Sequence, residues 1–217
     1  MKPLTDYRQI ERCDVNLNDG DYALALQNEG LQFHYRINRR TQSKFCFVFL
    51  PAALPLDKRI VPSFPRWSWG EGMGHNVVSV SDPTLLLSDA LLGGWMQGKY
   101  NSWAFESISL HLDAFFKANH IDFNRVIFCG SSMGGFLSLQ FATCFRGSIG
   151  YSENAQTDLR KYNLKKSMAK LAGLSYGKPT LDDVDSQYTH RFSLLDHFEK
   201  IGYVPNFYYV IKESDRH

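Results

Sequence analysis

Arg125-Val126-Ile127-Phe128-Cys129-Gly130-Ser131-Ser132-Met133-Gly134-Gly135-Phe136 decides how the rest of the chain is read. An apolar, β-branched run enters a cluster of small residues, and a second apolar run leaves it. Strands covered on both faces read as continuous apolar runs and belong to parallel sheets flanked by helices. The stretch therefore predicts a strand over residues 125–129, a tight turn, and a buried helix from Gly135 to about Phe145.

The flanking sequence repeats this logic. Residues 103–120 place Trp103, Phe105, Ile108, Leu110, Leu112, Phe115 and Phe116 at helical spacing. Residues 76–81 read as a strand closed by Asp82-Pro83, so strand, helix and strand form a crossover unit. Upstream, residues 30–37 alternate apolar and polar, and residues 45–50 are apolar throughout. Downstream, a short strand is expected near residues 148–152, a helix ending over 193–200 before Gly202, and a last strand over 206–212. The alternation predicts one α/β domain over residues 1–217, with a mainly parallel central sheet and helices on both faces. Residues 1–25 give no clear element and read as a poorly defined N-terminal segment.

Composition narrows the function classes. Of 217 residues, 44% are hydrophobic, and 24 Lys and Arg face 22 Asp and Glu for a net charge of +2. So even a balance argues against nucleic-acid binding driven by the field of the whole protein. The N-terminus lacks the apolar run of a secretory signal, and no stretch approaches the ~20 apolar residues of a spanning helix. A cytoplasmic location is expected. Cys13, Cys46, Cys129 and Cys144 form no C-x-x-C pair and are expected as buried free thiols, with no zinc site and no disulfide framework.

Gly130-Ser131-Ser132-Met133-Gly134 contains G-x-S-x-G with Ser132 at its centre. Between a strand and a helix, this pattern holds the serine in a strained backbone conformation with its hydroxyl exposed. A phosphate-binding loop would need G-x-x-x-x-G-K-[ST], and no lysine follows. Gly70-Glu71-Gly72-Met73-Gly74 follows an aromatic loop rather than a strand, so it reads as a mobile loop near the site and not as a dinucleotide loop. No cofactor is implied.

A serine hydroxyl needs a base to remove its proton, and this pattern sets the chain order Ser, Asp or Glu, His. Asp215, just after the last expected strand, is the candidate acid; the alternatives are Glu213 in that role or Asp215 as an ordinary solvated turn acid. His217 is the candidate base, two residues on; otherwise the base lies beyond the sequence. His190 and His197 read as solvated or packed histidines. The oxyanion donors expected are the N–H groups of Met133, after the nucleophile, and of Ala52, because Pro51 before it has none. Arg66, Trp95 and Gln156 are candidate substrate-binding residues: a cation among tryptophans, an aromatic ring among glycines, and a polar group beyond a strand end. The competing readings are tryptophans that cap the core and a Thr157 or Asp158 that caps a helix.

These residues resemble the nucleophile elbow of the α/β-hydrolase superfamily. Joined with Trp95-x-x-Gly98, Glu153-Asn154-Ala155-Gln156-Thr157-Asp158 and Asp215-Arg216-His217, they look like hydrolase-fold proteins encoded with bacterial surface-polysaccharide genes, of which the glycan O-acetyltransferase-like component of accessory Sec export is a relative. The resemblance covers the chain from about residue 30 and implies a serine esterase or O-acyltransferase that takes a glycan ester through an acyl-serine. Its rivals are a general carboxylesterase or peptidase and a non-catalytic binding protein in polysaccharide assembly. Oligomeric state, acyl group and acceptor are left open.

Overall fold

The computed structural model describes residues 7–213. Its strands are β1 (Arg8–Ile10), β2 (Gly20–Asn28), β3 (Leu31–Arg39), β4 (Cys46–Phe49), β5 (Asn76–Val80), β6 (Val126–Ser131), β7 (Ile149–Glu153) and β8 (Asn206–Val210). They form one sheet in the order β1-β2-β3-β5-β4-β6-β7-β8. The β2–β3 and β3–β5 pairs are antiparallel and the rest are parallel. The helices are α1 (Trp69–Met73), α2 (Ala104–Ala118), α3 (Met133–Cys144), α4 (Lys165–Tyr176) and α5 (Leu194–Ile201).

Strand alternation sorts the core onto two faces. Val48, Val78 and Phe128 point into the main cluster, where they meet Ile108, Phe116, Phe136, Phe141, Leu171 and Leu194 from the four longer helices. Their neighbours Phe49, Val77 and Cys129 point to the other face, with Met73 of α1 packed against them. Helices thus lie on both faces, but unequally. Residues 133–143 are buried without exception, as a helix apolar all round must be.

The N-terminal segment departs from expectation. Residues 20–28 and 31–39 pair over nine positions as a hairpin, turned by Glu29 and Gly30 at φ 49° and 73°. Two consecutive left-handed residues match the right-handed strand twist. Asn119, at the end of α2, secures the approach to it: Oδ1 accepts from Leu17 N–H at 2.9 Å and from Arg39 Nε at 3.1 Å, while Nδ2 donates to Val15 C=O at 3.0 Å. Helix α4 is likewise not among the expected elements. Gly70–Gly74 is not a free loop, since residues 69–73 form α1 and Gly74 closes it at φ 64°. Cys46 and Cys129 are buried, and burial pushes both thiols up to about 12; Cys144 is exposed and Cys13 only partly enclosed. Among the described residues no helix is long and apolar enough to cross a membrane.

Two interactions anchor the loops above the sheet. Asp82, almost wholly enclosed, accepts from the N–H groups of Thr84 and Gly94, both at 2.9 Å, and of Met96 at 3.4 Å. Below α2, His197 and His190 are buried. His197 sets its ring nitrogens 2.9 Å from Thr143 Oγ1 and 3.2 Å from the His190 carbonyl.

Removing the Asp82 carboxylate strands backbone donors that no solvent can reach, at about 1–3 kcal/mol for a buried donor left alone. Asp82→Ala should therefore lower unfolding free energy by about 3 kcal/mol in urea titrations. Burial, with the nearby charges of Lys200 and Arg191 for His190, pushes both histidines from 6.5 down to about 4. Below pH 6.5 the unfolded chain takes up protons that the folded protein refuses, so stability complete above that pH falls steadily towards pH 4. Urea midpoints measured from pH 7 to pH 4 should show this slope, and His197→Phe should flatten it.

Candidate active site

Strand order brings the site together. The chain leaves β4 for β5 on one side and later returns to β6 on the other, and a crevice opens at the strand ends where direction reverses. The loops after β4 and β6 therefore lie side by side. Leu50 N–H donates to Cys129 C=O at 2.9 Å, extending that pairing past the end of β4.

Ser132 sits between β6 and α3 at φ 51° and ψ −120°, the strained conformation expected of it. A non-glycine residue held there costs about 1–3 kcal/mol. Its N–H donates to Glu153 C=O at 2.8 Å, and its own carbonyl accepts from Phe136 N–H at 3.1 Å. The flanking glycines are sterically required. A Cβ on Gly130 would lie 2.2 Å from the Gly134 carbonyl carbon, and a Cβ on Gly134 would lie 2.6 Å from the Leu50 carbonyl oxygen.

Met133 opens α3, so its N–H is one of the four that find no acceptor within the helix. Its side chain is buried and supports the Gly93–Gly98 loop, with Trp95 N–H 3.3 Å from Sδ. Ala52 is half-buried in the β4 loop, two residues beyond the Leu50 carbonyl that touches the first turn of α3. Both expected oxyanion donors thus come from segments in contact with the elbow.

The segment after β7 closes the opposite side. Asn154, at φ 45°, donates its N–H to Val210 C=O at 2.8 Å, and its Oδ1 accepts from Lys212 N–H at 2.7 Å. Gln156 Nε2 donates to Ser132 Oγ at 3.0 Å. Asp158 is occupied as a cap: it accepts from Arg160 N–H at 3.0 Å and pairs with the Arg160 guanidinium at 2.8 Å. Burial would raise this carboxyl, but the Arg160 hydrogen bonds and charge more than reverse it and hold it below its ordinary value.

The other candidates scatter. Trp95 is 1% exposed and meets Tyr162 edge-on, with ring centroids 5.9 Å apart, so its ring belongs to the core and offers no open face to a substrate. Arg66 pairs with Glu153 at 3.4 Å and lies 5.3 Å from the Trp69 ring centroid. The pair borders a cavity of about 450 Å³ that includes Phe47, Phe49, Trp69, Ile127, Tyr151 and Tyr208. Among the described residues no histidine is hydrogen-bonded to Ser132, and His190 and His197 pack elsewhere. Asp215 and His217 lie outside the described residues. Sequence reasoning missed Asp82 as the anchor of the Gly93–Gly98 loop. Its signal was present in Asp82-Pro83-Thr84, an N-cap acid ahead of a proline.

No protein-family model and no curated protein matches the sequence. Solved structures do. A chain of the Glycosylation Associate Protein (Gap123) complex from Streptococcus agalactiae superposes with a TM-score of 0.60 at 14% identity, covering 85% of this chain and 34% of that one. The present chain thus spans about a third of that relative. The capsule O-acetyltransferase of Neisseria meningitidis serogroup A gives 0.57 at 14% identity, covering 86% and 88%. A putative carboxylesterase from Lactobacillus plantarum gives 0.51 at 10%, covering 90% and 88%. With the sheet order and the turn after β6, these likenesses establish an α/β-hydrolase fold.

The Gly134 contact is with backbone, which cannot rotate aside. Gly134→Ala should lower unfolding free energy by about 1–3 kcal/mol, the usual cost of forcing atoms into a packed site, and chemical-shift changes should concentrate in residues 50–53.

Proposed function

We propose that this protein is a serine-dependent ester hydrolase or O-acyltransferase acting on a glycan or polysaccharide ester. The observation that carries the reading is Ser132, held at φ 51° on a strand–helix turn with the first N–H groups of α3 beside it. Residues held in such strained conformations cluster at active sites.

In this reading Ser132 Oγ attacks the ester carbonyl while a base takes its proton. The oxyanion forms against Met133 N–H and Ala52 N–H, where preorganised dipoles need no rearrangement as charge develops. The alkoxide leaves with the proton returned by the base, and the acyl-serine then passes its acyl group to water or a sugar hydroxyl. His217 is the proposed base and Asp215 the acid that orients it. Support comes from Lys212, whose N–H is tied to Asn154, two residues before Gln156. Arg66 is the proposed contact for an anionic substrate group. The glycan assignment rests on the capsule O-acetyltransferase and Gap123 likenesses and is an analogy of fold. The likeness to a chain of the Gap123 complex favours a second reading as a hydrolase-like binding protein.

A fluorophosphonate probe separates the two. Labelling of the unsubstituted protein should vanish in Ser132→Ala and slow by about 10³-fold or more in His217→Ala, as loss of a triad member does. Absence of labelling in the unsubstituted protein would favour the binding protein. Full labelling of His217→Ala would move the base to another residue. Acetate release from acetylated polysaccharide, compared with p-nitrophenyl acetate, then distinguishes a glycan enzyme from a general carboxylesterase.

A further inference from the structure

Gln156 is 4% exposed, and its two polar atoms are treated differently. Nε2 lies 3.0 Å from Ser132 Oγ, while Oε1 is enclosed with no hydrogen-bond partner among the described residues. Buried polar atoms are nearly always paired, and an exception calls for a reason. A glutamine kept only to fill space would be replaced at no loss by an apolar residue of similar length.

The backbone leading into Gln156 is also braced from three directions. Asn154 is fixed to Val210. Ala155 lies so close to α3 that a Cβ on Gly135 would come within 2.9 Å of its methyl group, and the Ala155 carbonyl accepts from the Tyr209 hydroxyl at 2.5 Å. Ordering a long, flexible side chain costs conformational entropy, and here the backbone on which it stands is already fixed.

We infer that Gln156 is a positioning residue for the Ser132 nucleophile, donating from Nε2 to Oγ. This rests on the reading of Ser132 given above. A serine hydroxyl has one proton and two acceptor sites. An amide donor on one of those sites directs the hydroxyl proton away from the glutamine and towards the base. It also sets an N–H dipole against the negative charge that builds on Oγ as the proton leaves. Gln156 transfers no proton: that proton passes from Oγ to the base, the new bond joins Oγ to the acyl carbon, and the amide is unchanged.

The experiment measures fluorophosphonate labelling rates from pH 5 to pH 9 for the unsubstituted protein, Gln156→Met and Gln156→Glu, with Tm for each. Gln156→Met should label about tenfold more slowly or worse, the effect of losing one interaction worth a decade in rate. Its Tm should hold or rise, because the unpaired oxygen is gone. Gln156→Glu reverses the bond once its carboxyl ionises, since a carboxylate accepts the serine proton instead of donating. Its rate relative to the unsubstituted protein should therefore fall as pH rises, a signature that loss of packing does not produce. Equal labelling by Gln156→Met, or slowing that follows Tm loss with a flat Gln156→Glu ratio, overturns this inference alone. No labelling of the unsubstituted protein overturns the serine-enzyme reading and this role with it.

Discussion

The nearness of two backbones at the β6–α3 turn is the constraint on which the site depends. Gly130 and Gly134 approach so closely that neither position has room for a methyl group, and Gly134 rests on the Leu50 carbonyl. Three separate segments are brought into one register by that contact: the end of β6, the first turn of α3 and the loop after β4. The strain at Ser132 follows from it, because the chain must reverse within a single residue to enter the helix. Only a packed environment on every side makes such a conformation persist, and residues 133–143, all buried, supply it.

Around this centre, buried polar groups do what apolar packing cannot. Hydrophobic contact has no direction, whereas a carboxylate or amide enclosed in protein must meet its partners at set distances and angles. Asp82 fixes the loop above Met133 and Asn119 the approach to the N-terminal hairpin, while the part-exposed Asn154 ties down the segment that carries Gln156. Each is a short polar residue at the end of an element, where backbone groups have lost their regular partners. These loops are therefore tied to the sheet by directional bonds as well as by packing.

The parts of the fold legible in the sequence are those in which one local signal was enough. The run 126–129 is apolar on both faces because both faces are covered, and α3 reads as buried because it has no polar side. The hairpin was harder, since Tyr22-Ala23-Leu24-Ala25-Leu26 is rich in alanine, a poor strand residue, and its Glu29-Gly30 turn lacks the usual asparagine. Helix α4 buries only part of its surface, among it Met168, Leu171 and Ala172, which leaves a weak periodicity. Trp95 was misleading for a different reason: glycines around an aromatic suggest an open loop, yet here they let the loop fold tightly enough to enclose the ring.

Sequence alone determined the α/β class, the serine at the strand–helix turn and the glycines beside it, because all of these follow from residue size and period over a few neighbours. Tertiary structure decided what meets that serine. That the Leu50 and Pro51 carbonyls come against α3 depends on β4 lying next to β6, and that Gln156 reaches Oγ depends on the left-handed turn at Asn154 and on β8 pairing with β7. Such contacts join residues tens of positions apart. They follow from strand order and from buried hydrogen bonds that form only once the sheet is assembled, so no local pattern records them.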